Sequence, residues 1–472
     1  MWHGRQDRSC CAIVLLCVPD AFGLGAAGGS QADCLESEWA SCVAALSCMA
    51  TIFSLSLPGL VLCVLLGFTI WLYFHLGPAG TEEDRQLQLL NSSRPTSWLA
   101  YRLVSWIQWR VNQLFNRLMP APLRIADCAL RHAHSQMLYA VTKLGVVDVL
   151  KGKAMTYREI AVAVGAHPES LFRLLRAVHA ALGLFDVTSD ALGSEYRFRN
   201  NAMSSVLRED HPNCMRAWVL HAAEDTYGPW AHLLPAVKQG KAAFQLWPGS
   251  GGKDMYSYLR AHPEAGANLG EAMHAMDGFG LEAVVDDYRW GRFTRVIDVA
   301  GAHGSFLAAI LRKHPHLLGQ LFNQPQVIQR ARQMWAESRE WQVVTSRAEF
   351  ATGDLFDAET IPAAASEHDA YVLRAVMADW ADEPAQGILR NIRTAMGRFD
   401  ASVVVVEALM PPGLEDSSME RTLLDMHVMV MDGGKVRNLE QWRRLFLASG
   451  FQLARVQHTH GRLSILTAKP QR

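Results

Sequence analysis

The chain has 472 residues, half of them apolar, with 45 basic against 46 acidic side chains and a formal net charge of −1. At roughly 100–200 residues per domain this length predicts two domains with additional segments. The balanced charge leaves no field to draw a polyanion and argues against nucleic acid as the main partner.

Residues 1–54 open with Arg5 and Arg8, an apolar run from Cys10 to Val18, and small residues at Ala26, Ala27 and Gly28. That is the pattern of a signal or targeting peptide, cut short by Pro19 and Asp20. Residues 55–76 (LSLPGLVLCVLLGFTIWLYFHL) lie inside a stretch without any Asp, Glu, Lys or Arg from Glu38 to Glu82. About 20 such residues suffice to cross a bilayer, so a transmembrane helix is expected here, the other reading being a helix buried in a soluble core. Acidic Asp33, Glu36 and Glu38 precede the run and Arg85, Arg94, Arg102, Arg110 and Arg117 follow it. The positive-inside rule then expects a single-pass membrane protein with its C-terminal part on the cytoplasmic (or stromal-type) side.

Residues 77–121 read as a linker around Asn91–Pro95 followed by Trp98–Leu118, whose interleaved tryptophans and arginines suit a helix lying on a membrane surface or packed on the folded body. Of the nine cysteines only Cys128 and Cys214 follow Cys63, and no C-x-x-C pair occurs. This argues against a disulfide framework or structural zinc, and no metal is assigned.

From Ile125 the apolar spacing is helical. Thr156-Tyr157-Arg158-Glu159 predicts a capping box, Gly165 and Gly183 predict helix ends, and Phe185–Val187 with Tyr196–Phe198 predict a small ribbon. Helices followed by a ribbon form a winged-helix pattern over residues 122–212. The third helix, with Arg173 and Arg176 among apolar residues, is a packed helix rather than a groove reader.

Residues 213–472 begin with a helical stretch in which Trp218, Tyr227, Trp230, Phe244, Tyr256, Met273 and Met276 are available to line a cavity. After Arg289, short apolar runs at 296–299, 319–322, 350–353, 370–373, 402–407, 451–456 and 463–468 alternate with helices, predicting an α/β fold with a mostly parallel sheet covered on both faces. The first run leads into Asp298-Val299-Ala300-Gly301-Ala302-His303-Gly304 and a helix from Leu307 to Leu311. A strand, an acid, a small-residue turn and a helix N-terminus together build a nucleotide-sized cofactor site.

Over roughly Ile125 to Pro470 the chain resembles the two-domain S-adenosylmethionine-dependent small-molecule O-methyltransferases that include the plant caffeate and hydroxyindole enzymes. The resemblance is carried by Leu174-Leu175-Arg176 with Gly183-Leu184-Phe185, His262-Pro263-Glu264, Asp298 to Gly304, Gly353-Asp354-Leu355-Phe356, Asp379-Trp380-Ala381-Asp382-Glu383 and Gly433-Gly434-Lys435. It implies a winged-helix dimerisation domain, a homodimer, a Rossmann-like methyltransferase domain, S-adenosyl-L-methionine as cofactor and a small hydroxylated, lipophilic substrate.

Matched to the family's D-x-G-x-G-x-G turn, Asp298 and Gly304 agree and Gly301 lies within it, whereas Ala300 and Ala302 replace glycines. Asn323 stands where a ribose-binding acid is usual, Asp354 and Leu355 take the adenine-side position, and Arg374 replaces a common lysine. The family's base histidine falls at Ala378, and of its two flanking glutamates Glu407 is kept and the other is Val436. Glu407 and His427 are then the remaining candidates for catalysis. The same departures leave a second reading open, a catalytically impaired homologue acting as a dimeric binding or scaffold protein.

Overall fold

The computed structural model describes residues 107–471 apart from 108–109, 112–113, 116, 190–194, 278–279, 412–418 and 460. The expected span at 55–76, the leader at 1–54 and most of Trp98–Leu118 lie outside the described residues. Among the described residues no helix is long and apolar enough to cross a membrane.

The helical region starts with α1 (Ala121–Leu130) and α2 (His132–Lys143). A two-residue strand, β1 (Met155–Thr156), leads into α3 (Tyr157–Val164), whose capping box is made by Thr156 and Glu159 as predicted and which ends on left-handed Gly165. Next comes α4 (Pro168–Leu182), which buries Leu171, Leu175 and Val178 at helical spacing. Strands β2 (Asp186–Ser189) and β3 (Tyr196–Arg199) form the expected ribbon, and β1 joins it to give a three-stranded antiparallel sheet in the order β1-β3-β2. The α1 helix buries none of its residues, and Leu123, Ile125 and Leu130 are largely exposed.

A run of helices then leads to the sheet domain, among them α5 (Arg216–Glu224), α6 (Tyr227–Trp230), α7 (Met255–Ala261) and α8 (Pro263–Asp277). The sheet alternates β4 (Arg295–Val299), α9 (Ser305–Lys313), β5 (Leu318–Asn323), α10 (Pro325–Glu337), β6 (Ala348–Thr352), β7 (Asp369–Arg374), α11 (Asp382–Met396) and β8 (Ser402–Glu407). After α12 (Met419–Met431) and α13 (Leu439–Ala448), β9 (Phe451–His458) and β10 (Ser464–Pro470) complete seven strands in the order β6-β5-β4-β7-β8-β10-β9. The strands β4 to β8 pair in parallel, while β10 runs antiparallel to both β8 and β9.

Burial explains this order. All six residues of β8 (SVVVVE) are buried, as a strand covered on both faces by helices requires. On one face α11 buries Ala385, Ile388, Leu389, Ile392 and Met396; on the other α9 buries six residues from Phe306 to Leu311. Parallel strands covered in this way place their C-terminal ends along one edge, where a ligand crevice forms.

Candidate active site

One cleft of about 3210 Å³ runs along that edge between the sheet and the helices α5 to α8 and α12. Ligand pockets commonly measure roughly 300–1,000 Å³, so this space admits a nucleotide-sized cofactor and a second molecule together. Asp298, Ala300, Gly301, Ala302, Asn323, Asp354, Leu355, Arg374, Glu407 and His427 all line it. Gly304 does not: it caps α9 and packs against Leu321 and Trp335.

The turn after β4 keeps a left-handed backbone although its side chains have changed. Ala300 has φ 57°, Ala302 φ 48° and Gly304 φ 84°. The Ala300 N–H donates to the Phe322 carbonyl at 2.8 Å, tying the turn to β5. Each left-handed alanine costs on the order of 1–2 kcal/mol relative to the ordinary helical conformation, which a large core absorbs. The position that must stay bare is Gly301, where a Cβ would collide with the Asp298 carboxylate. Gly353 is equally constrained, with Phe322 and Thr360 atoms 2.6 Å from where its Cβ would stand.

Around this turn the polar groups are preoriented. Asn323 Oδ1 accepts the Gln324 N–H at 2.8 Å, so the amide nitrogen remains as a donor and the side chain is not a simple stand-in for an acceptor carboxylate. Asp354 Oδ1 accepts the Phe356 N–H at 2.9 Å, and the Leu355 carbonyl is held by Asn391 Nδ2 at 3.1 Å. The Arg374 guanidinium lies over the Phe306 ring at 5.4 Å. Two glycines without room for a Cβ, an acid, an amide donor and a helix N-terminus on one wall suit a nucleoside cofactor. Asp298, Ala300 to Ala302, Asn323, Asp354, Leu355 and Arg374 would hold it.

The other end of the cleft explains the missing histidine. Ala378 and Val436, at the two positions where the resemblance expects a histidine and a glutamate, pack together with Ala408 and Val428 in one buried apolar cluster. Replacing both partners of a polar pair by apolar groups is close to neutral, whereas replacing one would strand the other. Glu407 remains and serves as a backbone clamp. Its Oε1 accepts the backbone N–H groups of Val376, Met377 and Ala378 at 3.1, 2.9 and 3.2 Å. Burial, and then the Asp379 charge, push its carboxyl up to about 7 against the pull of those donors.

His427 is held down to about 4, first by burial and then by His221, and its ring lies 6.4 Å from that of Trp230. It is neutral and a weak base at physiological pH.

The Gly433–Arg437 segment latches the same turn. Lys435 N donates to the Ala378 carbonyl at 2.8 Å, and a Cβ on Gly434 would collide with that carbonyl. Buried Arg437 donates to the Met377 and Trp380 carbonyls at 2.7 Å each and pairs with Asp382.

Several interactions along the wall were not visible in the sequence. The Tyr256 hydroxyl donates to Asp379 Oδ2 at 2.6 Å, and its ring stacks on Trp380 at 5.2 Å. Burial raises Asp379 to about 6, and burial with the Asp379 charge raises Asp432 well above the usual carboxylate range. His221 bonds Asp225 at 2.8 Å. The His-x-x-x-Asp spacing ending at the C-cap of α5 was the readable signal for this last pair; for Tyr256 and Asp379, 123 residues apart, the sequence offered none. Of the expected cavity residues, Trp218, Trp230, Tyr256, Met273 and Met276 line the cleft, while Phe244 is buried in a separate core and Tyr227 is exposed.

A doubly wound sheet with a bare-backbone turn and a nucleoside-sized wall beside further cleft space suits a cofactor-dependent enzyme of small molecules. Residues 230–452 match the O-methyltransferase domain and residues 126–210 the O-methyltransferase dimerisation domain. The phenazine O-methyltransferase PhzM of Lysobacter antibioticus is 34% identical over 336 residues, covering 71% of this chain and 92% of that protein. The solved structure of LaPhzM superposes with a TM-score of 0.67 at 33% identity, covering 75% of this chain and 100% of that one.

The O-methyltransferase NcsB1 from neocarzinostatin biosynthesis, solved with S-adenosylmethionine and 2-hydroxy-5-methyl naphthoic acid, gives a TM-score of 0.59 at 28% identity, covering 71% and 95%. The chain belongs to the S-adenosylmethionine-dependent O-methyltransferase family. Its cofactor is S-adenosyl-L-methionine and it is an O-methyltransferase of small molecules; the scaffold reading is not favoured.

Proposed function

We propose that this chain methylates the hydroxyl of a small, lipophilic, ring-bearing molecule, as a homodimer held at a membrane by residues 55–76 with its C-terminal part on the cytoplasmic (or stromal-type) side. The observation that carries the activity is the turn itself: Ala300 and Ala302 both adopt the left-handed backbone that a cofactor cradle needs. Support for a lipophilic acceptor comes from Trp218, Trp230, Met255, Leu259, Met273 and Met276 along the cleft. Support for a dimer comes from α1, whose exposed Leu123, Ile125 and Leu130 form an apolar face that the described residues of a single chain leave uncovered. The membrane tether rests on the uncharged run and its flanking arginines.

Bound S-adenosylmethionine supplies a methyl carbon on a sulfonium. The protein's part is to hold the acceptor oxygen in line with that carbon and to exclude water, and positioning alone contributes up to roughly 7–11 kcal/mol. Glu407 contributes by fixing the 376–378 turn, and His427 by filling the wall beside Trp230 as a neutral ring. The test is incubation of the full chain with methyl-labelled S-adenosylmethionine and a panel of hydroxyarenes, starting with 1,4-dihydroxy-2-naphthoic acid. Label appearing in a methyl ether supports the reading; none with any member overturns it. Release of the intact chain from membranes by alkaline extraction would overturn the tether.

A further inference from the structure

We propose that the His221–Asp225 pair at the C-terminal end of α5 accepts the acceptor's hydroxyl proton, in place of the histidine that Ala378 replaces. This rests on the O-methyltransferase reading above. The spacing i, i+4 puts both side chains on one face of the helix. The His221 ring is 4% exposed and Asp225 17%, and Asp225 Oδ2 meets His221 Nδ1 at 2.8 Å. A carboxylate at Nδ1 fixes the proton of the neutral ring there and leaves the lone pair on Nε2. No hydrogen bond from the described residues reaches Nε2, and the ring lines the same cleft as Ala378, Asp379 and Glu407.

The position in the cleft suits a base. His221 is close enough to His427 for its charge to be felt there, and Val428, the next residue, packs against Ala378. Three other titratable groups of the cleft are weaker candidates. Glu407 Oε1 holds three backbone N–H groups, Asp379 receives the Tyr256 hydroxyl, and His427 is held neutral by burial. A buried ionisable pair is a weak way to hold a helix together, since apolar residues of similar volume serve as well. A histidine oriented by a carboxylate and facing a ligand cleft is the arrangement that base catalysis uses.

The step balances. The hydroxyl proton passes to His221 Nε2 as the oxygen lone pair forms the new C–O bond; the methyl C–S bond breaks and its electron pair stays on sulfur, giving a neutral thioether. The imidazolium, stabilised by Asp225, returns its proton to water once the product leaves. His221 touches the acceptor, and Asp225 acts through it as a positioning residue.

The experiment measures methyl transfer to the best hydroxyarene of the panel by the full chain and its His221→Ala, His221→Gln and Asp225→Asn variants. General-base assistance is worth roughly 10²–10⁴-fold, so both His221 variants should lose about 100-fold or more in kcat with the KM for S-adenosylmethionine little changed. Added imidazole should restore at least about tenfold to His221→Ala, whose vacated space admits it, and Asp225→Asn should fall by about tenfold or more. Independently of turnover, nitrogen NMR of histidine-labelled protein without acceptor should show His221 protonated at Nδ1 in the wild type and a mixture of tautomers in Asp225→Asn. Wild-type rates in folded His221→Gln, or an Nε2-protonated His221 in the wild type, would overturn this assignment alone. A wild type that methylates nothing overturns the parent reading and this one with it.

Discussion

Glu407→Gln separates a backbone clamp from a general base. The carboxyl of Glu407 is pushed up to about 7 by burial and by Asp379, from an ordinary value of 4.5. The folded protein therefore binds a proton there between pH 4.5 and 7 that the unfolded chain does not, and stability falls as pH rises through that window. Multiplying the difference by about 1.4 kcal/mol per unit gives roughly 3.5 kcal/mol as an upper figure for what the charged carboxylate costs above pH 7. Glutamine removes that charge and still offers an oxygen to the N–H groups of residues 376–378, whereas alanine leaves them unpaired.

Glu407→Gln should thus match the wild type within about 1 kcal/mol at pH 5 and equal or exceed it at pH 8. Glu407→Ala should lose about 3–5 kcal/mol at both. Denaturant unfolding at the two pH values, with labelled methyl transfer in parallel, makes the comparison. A Gln variant that is stable at pH 8 but inactive would return Glu407 to the role of base and overturn the clamp.

Other outcomes follow from the same geometry. Gly301→Ala, which forces a Cβ onto the Asp298 carboxylate, should weaken S-adenosylmethionine by more than about tenfold by calorimetry, while Ala302→Gly changes it little. Ala378→His and Val436→Glu should each cost about 2–4 kcal/mol singly, because each buries an unpaired polar group, and a double-mutant cycle should recover about 1–3 kcal/mol of coupling. Tyr256→Phe removes the hydrogen bond that lowers Asp379, so the Asp379 ionisation near 6 should move up by about one unit in a pH titration by carboxyl-labelled NMR.

Much of this architecture was legible because it depends on local pattern. The run Ser402–Glu407 read as a short apolar strand and is buried throughout, Thr156 and Glu159 closed the capping box they advertised, and the seven sheet strands fell on their apolar runs. Residues 298 and 300–302 of the expected turn line the cleft, and its two alanines hold a left-handed backbone. What the sequence concealed was the pairing of distant groups. Whether Glu407 faces substrate or backbone depends on where residues 376–378 turn, and no spacing encodes that. Asn323 looked like an acceptor until Gln324 took its oxygen, and Ala378 with Val436 read as two losses until both were found in one apolar cluster. The small strand at Met155–Thr156 is too short for any periodicity and exists because β3 offers it a partner.

The turn after β4 is expected to hold the cofactor despite its alanines at 300 and 302. Calorimetric titration of the full chain with S-adenosylmethionine tests it most directly. Saturable binding is expected at one site per chain with a Kd on the order of micromolar, abolished or severely weakened in Gly301→Ala. A flat titration of folded wild-type protein, or equal affinity in Gly301→Ala, would contradict it.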